Sequence, residues 1–142
     1  GRDGCRTPMV WEADVAHGGF SVAARTWLPI PPEHLPHAVD RQTGNPRSVL
    51  EQYRRFLAFR KRFPAFAKGT IEFFEPDVSI LSFTRTHGNE LLLCIFNMSG
   101  EAKSTVLPAG NWQHLADHGF ECRESVGSIE LPAWGAYFAR HV

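Results

Sequence analysis

The chain has 142 residues, 43% of them apolar and 21% charged, long enough to enclose one modest core and too apolar for extended disorder. Fifteen basic and fifteen acidic residues cancel, so the surface offers no general attraction to nucleic acid or anionic lipid, and no apolar run approaches the ~20 residues of a membrane span. Three cysteines, Cys5, Cys94 and Cys122, sit at no paired short spacing, which reads as a reduced, cytoplasmic thiol set with a single disulfide left open.

The chain opens on GRDGCRTPMVW, with no methionine and no regular hydrophobic period. A signal peptide has a basic start followed by an apolar run, and residues 1–20 have neither. The start therefore reads as an edge cut inside a larger protein. Arginine keeps its charge and presents a planar fork of donors, which suits vicinal hydroxyls or a carboxylate. Arg2 and Arg6, four residues apart beside Asp3, are candidate substrate-binding residues, with the acid aiming one arginine while the other binds. An internal ion pair that only pins the loop fits the spacing equally well.

Residues 1–47 carry Pro8, Pro29, Pro31, Pro32, Pro36, Pro46 and the Gly18-Gly19 pair, which leaves no room for a long helix or strand. A loop region of that length belongs to a functional site or leans on other structure. Glu12 and Asp14 form a close carboxylate pair, but two residues apart on a loop they cannot readily flank one glycosidic bond, so a salt-bridged or solvated role is expected. Ser21 lacks the G-x-S-x-G setting of a nucleophile, Gly18-Gly19 lacks the rest of a phosphate-binding fingerprint, and His34 and His37 lie in a proline-rich loop.

The pattern changes after Asn45-Pro46. Ser48 and Glu51 make an S-x-x-E capping box, and Val49, Tyr53, Phe56, Leu57 and Phe63 recur at mostly three- and four-residue steps, predicting a helix from about residue 48 to about 62, stopped by Pro64. Its other face carries Arg54, Arg55, Arg60, Lys61 and Arg62, read as solvated charges whose stems lie over the core.

Beyond Pro64 the period shifts toward two. TIEFFE, VSILSFTRT, ELLLCIFNMS, KSTVLP and SIELPAWGAYFARHV read as strands, separated by turn signals at Pro76-Asp77, His87-Gly88-Asn89, Ser99-Gly100 and Ala109-Gly110-Asn111. The unbroken run Leu91–Phe96 predicts a central strand buried on both faces, and Pro108 and Pro132 are expected at strand ends or edges. His114, His118 and Cys122 would share one face of a helix and could supply three zinc ligands, but Gly119 and strand-like surroundings argue against that helix, and no fourth ligand is at hand. A polar turn with one half-buried thiol is the expectation; neither a metal nor a cofactor is expected. Trp112 and Trp134 are read as packing residues, or as the stacking faces of a sugar- or protein-binding β-module.

GRDGCRTPMVW resembles the R-D-x-x-R-T-P-M-x-W stretch of the α-glucosidase and oligo-1,6-glucosidase branch of glycoside hydrolase family 13, the α-amylase superfamily. The resemblance continues in order through GGFS, WLPI, SVLEQYRRFLAFRKRFPAF and LLLCIFNMS, and covers essentially the whole chain. Val10 departs from the proline or glutamine more usual there, a matter of loop stiffness. The resemblance implies a mainly β chain: residues 1–64 would be the tail end of a truncated catalytic (β/α)8 barrel, its active-site loop and closing helix, and residues 65–142 a C-terminal antiparallel β-sandwich. It further implies a retaining hydrolase of short α-linked gluco-oligosaccharides, with Arg2 on the sugar held in the innermost subsite and Arg6 bracing the loop. The family's G-F-R-x-D and N-H-D motifs, which carry the nucleophile and a third aspartate, do not occur here. No catalytic residue is therefore assigned, and the segment alone is expected to be inactive, with the N-terminal barrel as its missing partner. The alternative is a non-catalytic β-sandwich that binds carbohydrate or protein.

Overall fold

The computed structural model describes residues 2–75 and 77–142; Pro76, half of one turn signal, lies outside the described residues. Contacts divide the chain into two compact units, which part between Arg54 and Arg55. That division falls inside a helix, ten residues before the expected change at 64/65.

The first unit is built of loops and short helical turns, as its prolines require. Single 3-10 turns span Asp3–Cys5, Ala16–Gly19 and Pro32–His37, and a one-turn helix, α1, spans Val39–Gln42. Its organising point is the segment at Val10 and Trp11. The Gly18 carbonyl accepts from the Trp11 and Glu12 amides at 2.8 and 3.1 Å, while the Val10 and Trp11 carbonyls accept from the first two amides of α1 at 3.1 and 3.0 Å. These bonds occupy otherwise orphaned helix-start donors. Val10 and Ala38 are buried. Helix α2, Val49–Lys61, then begins where the capping box predicts, with the Ser48 hydroxyl accepting the Glu51 amide at 3.2 Å.

The second unit is an antiparallel β-sandwich. A five-stranded sheet has the order β1-β2-β3-β8-β5 and a three-stranded sheet the order β4-β7-β6, with β1 at Thr70–Phe73, β2 at Ile80–His87, β3 at Glu90–Asn97, β4 at Lys103–Val106, β5 at Trp112–His114, β6 at Arg123–Ser125, β7 at Ser128–Leu131 and β8 at Ala136–His141. A two-residue turn joins β2 to β3, with His87 opposite Glu90 and Gly88 at φ +57°, a backbone conformation cheap only for glycine. The predicted central strand is β3: Leu92, Leu93, Cys94 and Ile95 are each at most 1% exposed. Alternation sends Leu93 and Ile95 into the inter-sheet core with Ile80, Ile129, Leu131 and Tyr137. Cys94 points the other way, to Phe59, Ala136 and Phe138. Burial pushes the Cys94 thiol up to about 12 against the opposing charge of Arg85, so it stays protonated and inert.

Asn97 closes the end of β3. It is 2% exposed; its amide nitrogen donates to the carbonyls of Glu101 at 2.6 Å, Pro132 at 2.8 Å and Leu131 at 3.3 Å, and its side-chain oxygen accepts from the Ser99 amide and hydroxyl. One buried amide so links the end of β3 in one sheet to the end of β7 in the other, with its hydrogen-bonding capacity used. Pro132 follows β7 directly and Pro108 lies beyond β4, at strand ends as expected.

Several sequence expectations change. The helix face read from spacing is buried only in part: Phe56 and Phe63 pack on the core as expected, but Val49, Tyr53 and Leu57 are 78, 61 and 36% exposed, and Phe59, outside the expected set, is 2% exposed. Phe59 meets Phe56, Phe63, Phe66 and Phe138 at ring-centroid distances of 5.2 to 6.2 Å. The set Phe56-Phe59-Phe63 is also helically spaced, and the sheet selects it over Val49, Tyr53 and Leu57. Arg62 stays exposed as expected, and it also lies over the Phe59 and Phe63 rings at 5.1 and 5.5 Å and donates to the Ala116 carbonyl at 3.0 Å. Strands β5 and β6, three residues each, are absent from the sequence reading because their composition is that of turns. α2 ends before Pro64 as expected, and a further short helix not read from the sequence, α3, Pro64–Lys68, takes that proline as its first residue.

Phe59→Ala removes the ring on which the aromatic cluster converges and is expected to cost the second unit about 3–5 kcal/mol, read as a lower denaturant midpoint with an unchanged slope.

Candidate functional site

The opening stretch is a solvent-facing turn. Arg2, Asp3 and Arg6 are exposed; the turn closes through its backbone, with the Arg6 amide donating to the Asp3 carbonyl at 2.9 Å and the Cys5 thiol to the Arg2 carbonyl at 2.9 Å. Among the described residues no ion pair joins Asp3 to either arginine, so the pairing expected from their spacing does not form within this chain. Both guanidinium groups are left facing outward.

Behind it, the first unit encloses a cleft of about 680 Å³ walled by Ala13, Asp14, His17, Arg25, Trp27 and Ile30 among others; neither Arg2 nor Arg6 lines it. Asp14 is held by Arg41 in an exposed ion pair, the salt-bridged role read for it from sequence, and Glu12 lies apart and exposed. Trp27 is 97% exposed at the rim. The lining brings no nucleophile together with a base, so the cleft can hold a ligand but offers no bond-breaking pair.

The second unit gathers the His114, His118 and Cys122 set after all, across a strand and a turn instead of along a helix. The two Nε2 atoms are 3.2 Å apart and the Cys122 sulfur lies 3.8 Å from His114 Nε2. The outer partners assign the protons. The Phe120 amide donates to His118 Nδ1 at 3.1 Å, and His114 Nδ1 lies 2.8 Å from Glu124 Oε1. His118 therefore carries its proton on Nε2 and donates to His114 Nε2, and His114 donates through Nδ1 to Glu124. A metal on His118 Nε2 would require the proton on Nδ1, where the Phe120 amide already points. Among the described residues no group of three or more His, Cys, Asp or Glu is arranged to hold a metal ion. Burial, then the Glu124 charge, push the Cys122 thiol up. Among the described residues the buried Tyr137 hydroxyl has no hydrogen-bond partner; burial first, then Glu124, push it up to about 12. Sequence reasoning missed Glu124 and Tyr137, which lie on separate strands with no local signal linking them to the histidines.

The profile described as α-amylase, catalytic domain, matches residues 1–69 and stops just before β1. Over 140 residues the chain is 56% identical to a probable α-glucosidase of Rhizobium meliloti strain 1021, a match that covers 99% of this chain and 25% of that protein. The chain is thus homologous to α-glucosidases, and its first 69 residues match the α-amylase family. An oligo-1,6-glucosidase of Parageobacillus thermoglucosidasius is 36% identical over 109 residues, 76% of this chain and 19% of that protein. The crystal structure of an α-glucosyl transfer enzyme, XgtA, superposes with a TM-score of 0.93 at 35% identity over 100% of this chain and 26% of that one. The trehalulose synthase MutB of Pseudomonas mesoacidophila MX-45 gives 0.81 at 28% identity, covering 98% of this chain and 26% of that one. The chain spans about a quarter of the length of the relatives it matches.

Gly18 is hard to replace. It sits at φ +59°, and a Cβ there would meet Val10 Cγ1 at 2.9 Å and Ile30 Cδ1 at 3.1 Å. Gly18→Ala combines a left-handed backbone with overpacking and is expected to destabilise the first unit by about 2–4 kcal/mol, seen as faster amide exchange across residues 10–19 than in the wild type.

Proposed function

We propose that this chain is the C-terminal quarter of a retaining α-glucosidase that hydrolyses short α-linked gluco-oligosaccharides. In this reading residues 1–64 end the catalytic (β/α)8 barrel with an active-site loop and the closing helix, and residues 65–142 form the β-domain behind it. The carrying observation is the 56% identity over nearly the whole chain to a probable α-glucosidase four times as long. Two features of the chain support it. The profile match ends at residue 69, close to the proposed domain change. Helix α2 leaves Val49 and Tyr53 largely exposed, an apolar face for the missing barrel to cover. Three free thiols are in keeping with a cytoplasmic location. No described helix is long and apolar enough to cross a membrane.

The division of labour follows from the chemistry. Retaining hydrolysis needs a carboxylate nucleophile and a carboxylic acid ~5 Å apart across the scissile bond. The carboxylates of the first unit have other engagements: Asp14 is held by Arg41, Asp40 accepts from the Ala13 and Arg41 amides, Glu51 pairs with Arg54, and Asp3, Glu12 and Glu33 lie on exposed turns. The proposal places the acid, the nucleophile and the third aspartate in the barrel outside this segment. What the segment supplies is charge and donors at the mouth of the site. Arg2 offers its fork to the hydroxyls of the innermost sugar, with Asp3 nearby, while Arg6 braces the loop. A planar fork fixes orientation as well as energy, and water exclusion around the sugar strengthens each such bond.

Two measurements test this. The 142-residue protein is expected to leave nitrophenyl α-glucoside at the background rate; enzyme-dependent release of nitrophenol would sink the assignment of the chemistry to the barrel. In the full-length enzyme, Arg2→Lys keeps the charge but loses the fork and is expected to lower kcat/KM by about 10–100-fold. An unchanged value would remove Arg2 from the sugar.

A further inference from the structure

Two histidines join the two cores of the β-sandwich around the free edge of its larger sheet. His114, on edge strand β5, stacks on Tyr137 with centroids 5.1 Å apart and planes at 19°, and Tyr137 belongs to the inter-sheet core. His118, in the turn that follows, is 2% exposed. Its ring meets Phe138 at 5.0 Å, Phe59 at 5.6 Å and Phe120 at 6.0 Å, on the other side of the sheet. The turn is tied down at three further points: the Leu115 amide donates to the Phe138 carbonyl at 2.8 Å, and Arg62 grips the Ala116 carbonyl at 3.0 Å and Asp117 at 3.3 Å.

The chain Phe120 N–H to His118 to His114 to Glu124 uses one proton per ring and leaves no site for another. A proton added at His118 Nδ1 would face the Phe120 amide at 3.1 Å, and one added at His114 Nε2 would face the proton on His118 Nε2 across 3.2 Å. Either sets two donors against each other in a buried place, which costs both a hydrogen bond and an unsolvated charge. We propose that the His114–His118 pair is an acid-sensitive latch: uptake of one proton breaks its hydrogen-bond chain and releases the segment from Leu115 to Cys122 from the aromatic core.

The charges around the pair set the direction. Glu124 on β6 faces His114, and Asp117 flanks His118 from within the turn. Arg62, beyond α2, pairs with Asp117 and so offsets its pull. Cys122 and Tyr137 of β8 are neutral in the range concerned. Burial first, then any positive charge on His114, lower the His118 pKa to about 4, with Asp117 acting the other way. A histidine freed into water returns to an ordinary value of about 6.5. The closed form thus prefers the neutral ring: the latch holds fully above about pH 6.5, weakens as the pH falls from there, and loses nothing further below about 4.

The test is amide exchange of the isotope-labelled protein, corrected for intrinsic rates, at about pH 7.5 and about pH 5. With the two His118 values, opening reported by the Phe120 amide is expected to rise about 30-fold at the lower pH, while Leu93 and Ile95 on β3 keep their protection. In His118→Asn, whose side-chain oxygen can still accept the Phe120 amide but takes up no proton, the rise is expected to vanish. A Phe120 amide indifferent to pH, or an equal rise in the variant, would overturn the latch. Should the variant fail to fold, the wild-type imidazole nitrogen spectrum decides. A His118 proton on Nε2 at neutral pH supports the proposal; a proton on Nδ1, or a shift of both rings on adding zinc alone, refutes it.

Discussion

The structure of the second unit hangs on a strand that can face water on neither side. Six apolar residues in succession at Leu91–Phe96 give a strand no polar face to show solvent, so whatever its register, both surfaces must be covered. β3 meets that demand with a sheet on one side and aromatic rings on the other. Its neighbours β2 and β8 flank it in the hydrogen-bonding direction. Each of these covers is too small to fold alone: β7 spans four residues, and helix α2 keeps much of its surface in water. Their stability is borrowed from the strand they cover.

The aromatic layer follows from that geometry. Large rings bury much area per residue and tolerate edge-on as well as tilted contacts, which suits the irregular wedge between a twisted sheet and a short helix. Phe59 converges with Phe56, Phe63, Phe66 and Phe138 there, and His118 enters the same layer. An imidazole among phenyl rings is tolerable only while neutral and hydrogen-bonded. The single polar chain running around the β5 edge thereby does two jobs, satisfying the ring nitrogens and binding a turn that carries little apolar anchorage of its own.

The first unit follows a different rule. With short helices and, among the described residues, no strand before α2, it is held by backbone bonds to the Val10 and Trp11 segment and by a glycine at positive φ. A loop built this way presents side chains outward from a fixed backbone, an arrangement suited to contacting a ligand and poor for assembling a buried catalytic pair.

Much of this was legible along the sequence, because it depended on local rules. The capping box at Ser48 and Glu51 marked the start of α2 to the residue, the apolar run marked the central strand, and Gly88-Asn89 marked its hairpin. The opening motif marked the family resemblance. What could not be read was decided between distant segments. The spacing picked out Phe56 and Phe63 but set Val49, Tyr53 and Leu57 beside them in place of Phe59; only the position of the sheet decides which of these the core takes. β5 and β6 are three-residue strands of unremarkable composition, and exist because β8 and β7 offer them an edge. His114 and His118 looked like a weak zinc pair at helical spacing, and became a hydrogen-bond chain once β6 brought in Glu124 and the turn aimed the Phe120 amide. Periodicity and turn chemistry act within a few residues, so the sequence alone determined the capped helix, the central strand with its hairpin, and the resemblance to the family. Which face is buried and which nitrogen carries a proton depend on groups far apart in the chain, and only tertiary structure brings those together.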